Sequence, residues 1–201
     1  MNFLNEAQAY EGEMRAFFED LHRHPEPSHF ETRTNRRVRE QLKAHGIDML
    51  CPKDNITIAV IHGAKPGKTV GLRFDTDALQ LQELCDVPYK SEHDGLMHGC
   101  GHDAHTTCGV YVARLLKAHA DELCGAYKII FQPAEEGEHG ADEVIATGLV
   151  SDVDAFFGCT SGACIRPARC MPRQAASGPS RICSKSPSTA KAATAQRRNS
   201  A

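Results

Sequence analysis

The chain has 201 residues, with 26 Asp/Glu, 23 Lys/Arg, 11 His and nine Cys, for a formal net charge of −3. That length suits one domain with a real core, or a domain plus a tail. No apolar run approaches the roughly 18 residues a membrane helix needs, and the start, Met1 to Glu6, has neither a basic n-region nor an apolar h-region. The cysteines follow no regular disulfide spacing, so the expectation is a reducing cytoplasm, with thiols free or serving as metal ligands.

The charge is unevenly spread. From Cys159 onward there are eight Lys/Arg and no acid, so residues 1–158 hold 15 basic and all 26 acidic side chains. All eleven histidines precede residue 140. A basic tail can mark a nucleic-acid binder, but this one has no aromatic residue to stack on bases. No nucleic-acid or membrane partner is expected.

Apolar spacing predicts a helix over residues 6–24, stopped at His24-Pro25, and a second over 30–45, closed by Gly46. Ile56–Ile61 reads as a strand, residues 63–67 as a turn containing Pro66, and Thr69–Phe74 as another strand. Helical periodicity returns over 102–120. A short strand follows at Tyr127–Phe131, then a helix at 140–148 and a strand at Val153–Phe157. The mixture predicts an α/β layer fold with a mixed, mostly parallel sheet flanked by helices. After Gly158 the chain is rich in Ala, Ser, Arg and Pro, with no Leu, Val, Phe, Tyr, Trp or His. Residues 159–201 are therefore expected to be a disordered tail on a folded 1–158 unit.

The chemistry concentrates at His98-Gly99-Cys100-Gly101-His102-Asp103-Ala104-His105. Cys100 and His102 stand two apart, where a loop can turn both toward one ion, and zinc accepts both donor types. The flanking glycines permit a tight approach. His98 and His105 are weaker candidates, suited to supporting positions. An apolar strand then ends in Gln132-Pro133-Ala134-Glu135-Glu136-Gly137. In such a pair one carboxylate can bind metal while its neighbour takes a proton from water; alone, the pair would read as a solvated acidic turn. Asp75 and Asp77 end another strand, as braces for a metal environment or as helix N-caps.

Asp75-Thr76-Asp77-Ala78-Leu79, the block Met97–Thr106 and Ile130–Gly137 together resemble the amidohydrolase group of co-catalytic metallopeptidase-like enzymes. That group includes hippurate hydrolase, N-acyl-amino-acid amidohydrolase and the auxin-conjugate (IAA-amino acid) hydrolases. Leu21-His22-Arg23-His24-Pro25-Glu26 matches the usual end of the N-terminal helix, and the likeness runs in order over residues 10–158. It implies the N-terminal part of a zinc-peptidase-like catalytic domain that hydrolyses the amide bond of small N-acyl amino acids. Two divalent ions, Zn or Mn, and a homodimer are implied as well. By motif position Cys100, His102 and Glu136 would be metal ligands and Glu135 the general base, with Asp77 the other catalytic candidate.

The sequence departs from the pattern at two places. Gln80 stands where the group usually has Pro. After Phe157-Gly158 the group continues Leu-His, with that His a metal ligand, whereas here Cys159-Thr160 follows. The dimerisation (lid) domain and the returning segment with the last metal-binding His are not visible. Gly-Cys-Thr can be written GGC TGC ACC, and one restored C gives GGC CTG CAC, Gly-Leu-His. In a neighbouring frame Thr189–Thr194 can read Asn-Gly-Lys-Gly-Ser-His, like a motif of the missing domain. The expectation is a single-nucleotide deletion near codon 158 and an out-of-frame tail; the alternative to the amidohydrolase reading is then a truncated, inactive remnant that binds metal weakly without turnover, with at most partial occupancy. Sequencing the locus tests this: an intact frame across related strains would remove it.

Overall fold

The computed structural model describes residues 3–137 and 139–159. The expected tail therefore lies outside the described residues, apart from Cys159. The first predicted helix is two: α1 (Phe3–Ala9) and α2 (Glu11–Arg23). They break at Tyr10, whose φ of −90° and ψ of 0° leave the helical region and whose ring lies under the Arg114 guanidinium, 4.4 Å from its centroid. Helix α2 ends before His24-Pro25, as proline demands. Helix α3 (Thr32–Ala44) is followed by Gly46 at φ 60°.

Five strands follow the helical start: β1 (Asp48–Lys53), β2 (Ile56–His62), β3 (Lys65–Asp75), β4 (Cys124–Gln132) and β5 (Ala155–Gly158). Between them lie α4 (His102–Ala118) and α5 (Gly140–Ala146). Strand β1 escapes the sequence pattern because it is a mostly exposed edge strand carrying Pro52. Strand β3 begins earlier than its apolar run suggests, since Lys65 already pairs with Cys124 across an irregular register.

The sheet order is β1-β2-β4-β3-β5. The sheet is mixed and flanked by helices, as expected, but its pairings divide evenly. β1/β2 and β2/β4 are antiparallel; β4/β3 and β3/β5 are parallel. The antiparallel half arises because the N-terminal segment enters as the hairpin β1–β2 at the edge. Strand alternation sorts the core into two layers. Ala59, Ile61, Ile129 and Phe131 face α2, α3 and α4 with Phe17, Leu21, Val38, Leu42 and Val110. Ile56, Ile58 and Ile130 face α5 with Val144 and Val150. Helix α4 lies so close to the sheet that a Cβ on Gly109 would stand 2.8 Å from both the Phe131 and Phe74 rings. No described helix is long and apolar enough to cross a membrane.

This topology places the chemistry. Strands β3 and β4 run parallel, with Asp75 in register with Gln132. Their C-terminal ends therefore release the Thr76-Asp77 and Pro133–Gly137 segments on one edge of the sheet, where open α/β sheets bind ligands.

Candidate metal centre

Helix α4 starts at this edge. Its N-cap, Gly101, sits at φ 78°, a left-handed conformation glycine adopts without steric cost. The turn brings Cys100, just before it, and His102, the first helical residue, to the same side. Opposite, Ala134 at φ 49° bends the β4 exit so that Glu135 and Glu136 turn back toward α4. One donor atom each from Cys100, His102 and Glu136 lie within 4.8 Å of one another, and Asp75, His102 and Glu135 satisfy the same limit.

His102 is buried and fixed by one ring nitrogen. Its Nδ1 is 2.9 Å from the Asp77 carbonyl oxygen and 3.1 Å from Asp77 Oδ1. Those acceptors place the proton on Nδ1 and leave Nε2 facing the acids: Asp75 Oδ2 at 3.6 Å, Glu135 Oε2 at 3.8 Å and Glu136 Oε1 at 3.9 Å. Burial opposes charge on the ring, but the Asp77 hydrogen bond and the nearby carboxylates raise its pKa to about 9. Asp77 is also buried. Its Oδ2 accepts from the Ser28 hydroxyl at 2.8 Å and from the Glu136 backbone N–H at 3.2 Å. Asp77 thus ties together the segments that carry His102 and Glu136. No helix begins after it, so it caps none.

Asp75 has both oxygens occupied, Oδ1 by His105 Nδ1 at 2.5 Å and Oδ2 by Arg73 Nη1 at 2.7 Å. Burial pushes its pKa up, but these partners win and hold it at about 2. Asp75 is thereby held in place beside the cluster. His105 turns its Nε2 to the Cys159 sulfur, 3.3 Å away, and so does not join the donor cluster. His98 is buried, and neither ring nitrogen has a hydrogen-bond partner. Burial lowers its pKa. Thr160 lies outside the described residues.

The donor chemistry fits a divalent cation. One thiol, one imidazole and two carboxylates converge there. Burial and the charges of Glu136, Glu135 and Asp75 drive the Cys100 thiol up to about 12. Burial and Asp75 likewise raise Glu135. A positive ion at the centre would relieve this crowding of negative groups.

Sequence reasoning missed three supporting residues. Ser28 holds Asp77. Glu31 accepts the Ala134 backbone N–H at 2.8 Å. Arg73 neutralises Asp75. Ser28 and Glu31 act across long sequence separations, so no local pattern marks them; Arg73 stands two residues before Asp75 on the same strand, a spacing with no distinctive signature.

Comparison with known proteins matches residues 71–173 to Peptidase family M20/M25/M40. The chain belongs to that family. The M20 match begins on β3 and takes in both acid-bearing segments and α4. Among M20 relatives, the N-acetylcysteine deacetylase of Bacillus subtilis (strain 168) is 42% identical over 141 residues, covering 69% of this chain and 37% of that protein. The hippurate hydrolase of Campylobacter jejuni is 37% identical over 159 residues, 78% of this chain and 41% of that protein. A solved structure, the Bacillus subtilis YXEP protein, described as a dinuclear metal binding peptidase from the M20 family, superposes with a TM-score of 0.75 at 38% identity. The superposition covers 77% of this chain and 44% of that one. The chain thus spans about two fifths of the length of these relatives.

Proposed function

We propose that this chain carries the metal-binding half-site of an amidohydrolase acting on N-acyl amino acids, with Cys100, His102 and Glu136 holding a divalent ion. The observation that carries this reading is the convergence of those three donors within 4.8 Å. The relatives named N-acetylcysteine deacetylase and hippurate hydrolase support the substrate class. A thiol among the donors favours zinc on grounds of softness, while carboxylate and imidazole also suit manganese. When bound, such an ion supplies Lewis-acid polarisation of a carbonyl and acidifies water.

The protein's own groups do the rest. Asp77 keeps the His102 proton on Nδ1, so that Nε2 presents a lone pair to the ion. Asp77 also orders the Glu136 backbone. Glu135, with its pKa raised by burial and by Asp75, is suited to accept a proton from water at a carboxylate oxygen and return it to the leaving amine nitrogen. Arg73 and His105 keep Asp75 ionised, and its charge favours the cation. Two ions and a homodimer belong to the family by resemblance; for this chain the proposal is at most partial occupancy of that centre.

A second reading is metal binding without turnover. Thr160 favours it, standing where the resemblance places a metal-binding histidine. The test is to measure zinc per chain together with hydrolysis of hippurate and N-acetylcysteine. Chelator-sensitive turnover that Glu135→Gln abolishes, with zinc content unchanged, supports the hydrolase. Zinc bound without turnover supports the second reading, and no zinc bound at all overturns both.

A further inference from the structure

The end of β5 carries a second arrangement, which shares Asp75 with the donor cluster and adds a thiol the metal site does not use. Cys159 Sγ lies 3.3 Å from His105 Nε2, and His105 Nδ1 lies 2.5 Å from Asp75 Oδ1. Arg73 Nη1 holds the other Asp75 oxygen at 2.7 Å. The order is thiol, imidazole, carboxylate, each within hydrogen-bond reach of the next, with the carboxylate anchored. The imidazole is buried on the first turns of α4 and its ring packs edge-on against Phe74 at 4.9 Å between centroids. Cys159, by contrast, is an exposed residue, its thiol half-buried beside the ring. A fixed base behind an accessible sulfur is the geometry of an activated nucleophile.

We infer that Cys159 is a reactive thiol, poised for S-thiolation by small disulfides, with His105 as its proton acceptor and Asp75 as the group that positions His105. The Asp75 carboxylate accepts from Nδ1–H and so leaves the Nε2 lone pair for the thiol proton. The thiol proton moves to Nε2. The thiolate attacks one sulfur of the disulfide, a new S–S bond forms and the reagent's S–S bond breaks. The departing thiolate takes the proton from His105. The Cys159 sulfur is oxidised formally by one electron in becoming half of a mixed disulfide, and the departing sulfur of the reagent is reduced by one electron and leaves as a thiol.

The electrostatics agree with the geometry. The His105 hydrogen bond lowers the Cys159 pKa against the opposing effect of burial. Burial disfavours charge on His105, yet Asp75 and the Cys159 sulfur raise it to about 9. Cys108 shows the contrast: burial and the Cys159 charge push it up. Cys51, Cys85 and Cys124 are also exposed, with no imidazole bonded to any of them among the described residues, and so serve as internal references.

The test uses the full chain, a dipyridyl disulfide below stoichiometry near neutral pH, and peptide mapping by mass spectrometry. Cys159 is expected to be modified about tenfold or more faster than Cys51, Cys85 and Cys124, the gain a base-paired thiol has over an ordinary one. Its rate should fall less steeply than the reference rates as pH drops from 8 toward 6. His105→Gln should bring Cys159 down to the reference rate without changing the others. Should that variant not fold, the pH profile of the unmodified chain decides alone. A Cys159 rate that falls in parallel with the references, or that is no faster than theirs at neutral pH, overturns the inference.

Discussion

Glu31 Oε1 accepts the backbone N–H of Ala134 at 2.8 Å, across 103 residues of sequence. The carboxylate is fully buried, and burial raises its pKa. Through this bond the start of α3 fixes the bend that turns Glu135 and Glu136 toward His102. Glu31→Gln keeps a carbonyl acceptor for Ala134 and removes a buried acid, so zinc affinity should change little. Glu31→Ala leaves the Ala134 N–H unpaired, costing about 1–3 kcal/mol of stability, and lets the bend relax. Its zinc affinity should fall about 10-fold or more, measured by competition with a coloured chelator. Equal affinity in the two variants would show that Glu31 does not shape the site.

Asp77 acts on the donor cluster from the other side. Its carbonyl and carboxylate oxygens hold His102 Nδ1, and its Oδ2 holds Ser28 and the Glu136 backbone. Asp77→Ala should lower zinc affinity by roughly 10- to 100-fold, the usual cost of losing a group that orients a ligand. Asp77→Asn should lose less, because its amide oxygen can still accept from His102. Ser28→Ala should lose least, since one hydroxyl bond to the far carboxylate oxygen is all it removes. A ranking in which Ser28→Ala is the most damaging would contradict the arrangement.

Much of this was legible in the sequence for a physical reason. The ligand candidates lie in dense local clusters, and the β3 and β4 ends carry apolar runs that stop sharply at polar residues. Cys100, His102, Glu135, Glu136 and Asp77 could therefore be named without coordinates. What brings them together is the parallel register of Asp75 with Gln132, which no local pattern contains. Glu31 and Ser28 were illegible because a buried acid in a polar helix start looks like any solvated one. Strand β1 was missed because an edge strand has only one partner and shows most of its residues to water. Tyr10 broke a helix that periodicity alone would have continued.

Gly109 tests how tightly α4 is seated. A methyl there would stand 2.8 Å from both the Phe131 and Phe74 rings. Replacing a helical glycine by alanine ordinarily gains about 1 kcal/mol in helix propensity. Overpacking a filled core costs about 1–3 kcal/mol, and two aromatic rings bounded by the sheet have little room to yield. Gly109→Ala should therefore destabilise the chain on balance, lowering its urea midpoint. A raised midpoint would mean that α4 can lift from the sheet without penalty.

Acidity offers a test that needs no substitution. In the metal-free protein His102 and His105 are both raised to about 9, above an ordinary value near 6.5. Groups raised in the folded state lend stability that is whole below the unfolded pKa and lost as pH climbs through the folded one. The metal-free chain should thus lose thermal stability between about pH 6.5 and 9. Zinc binding runs the other way. It requires neutral His102 and a Cys100 thiolate, and both groups are protonated near pH 7 in the metal-free state, Cys100 with its pKa at about 12. Binding should then release about two protons per ion, so that affinity rises roughly 100-fold per pH unit between 7 and 8. Chelator competition at several pH values measures this directly, and zinc should progressively flatten the alkaline loss of stability. Affinity independent of pH over that interval would mean that Cys100 and His102 are not the donors.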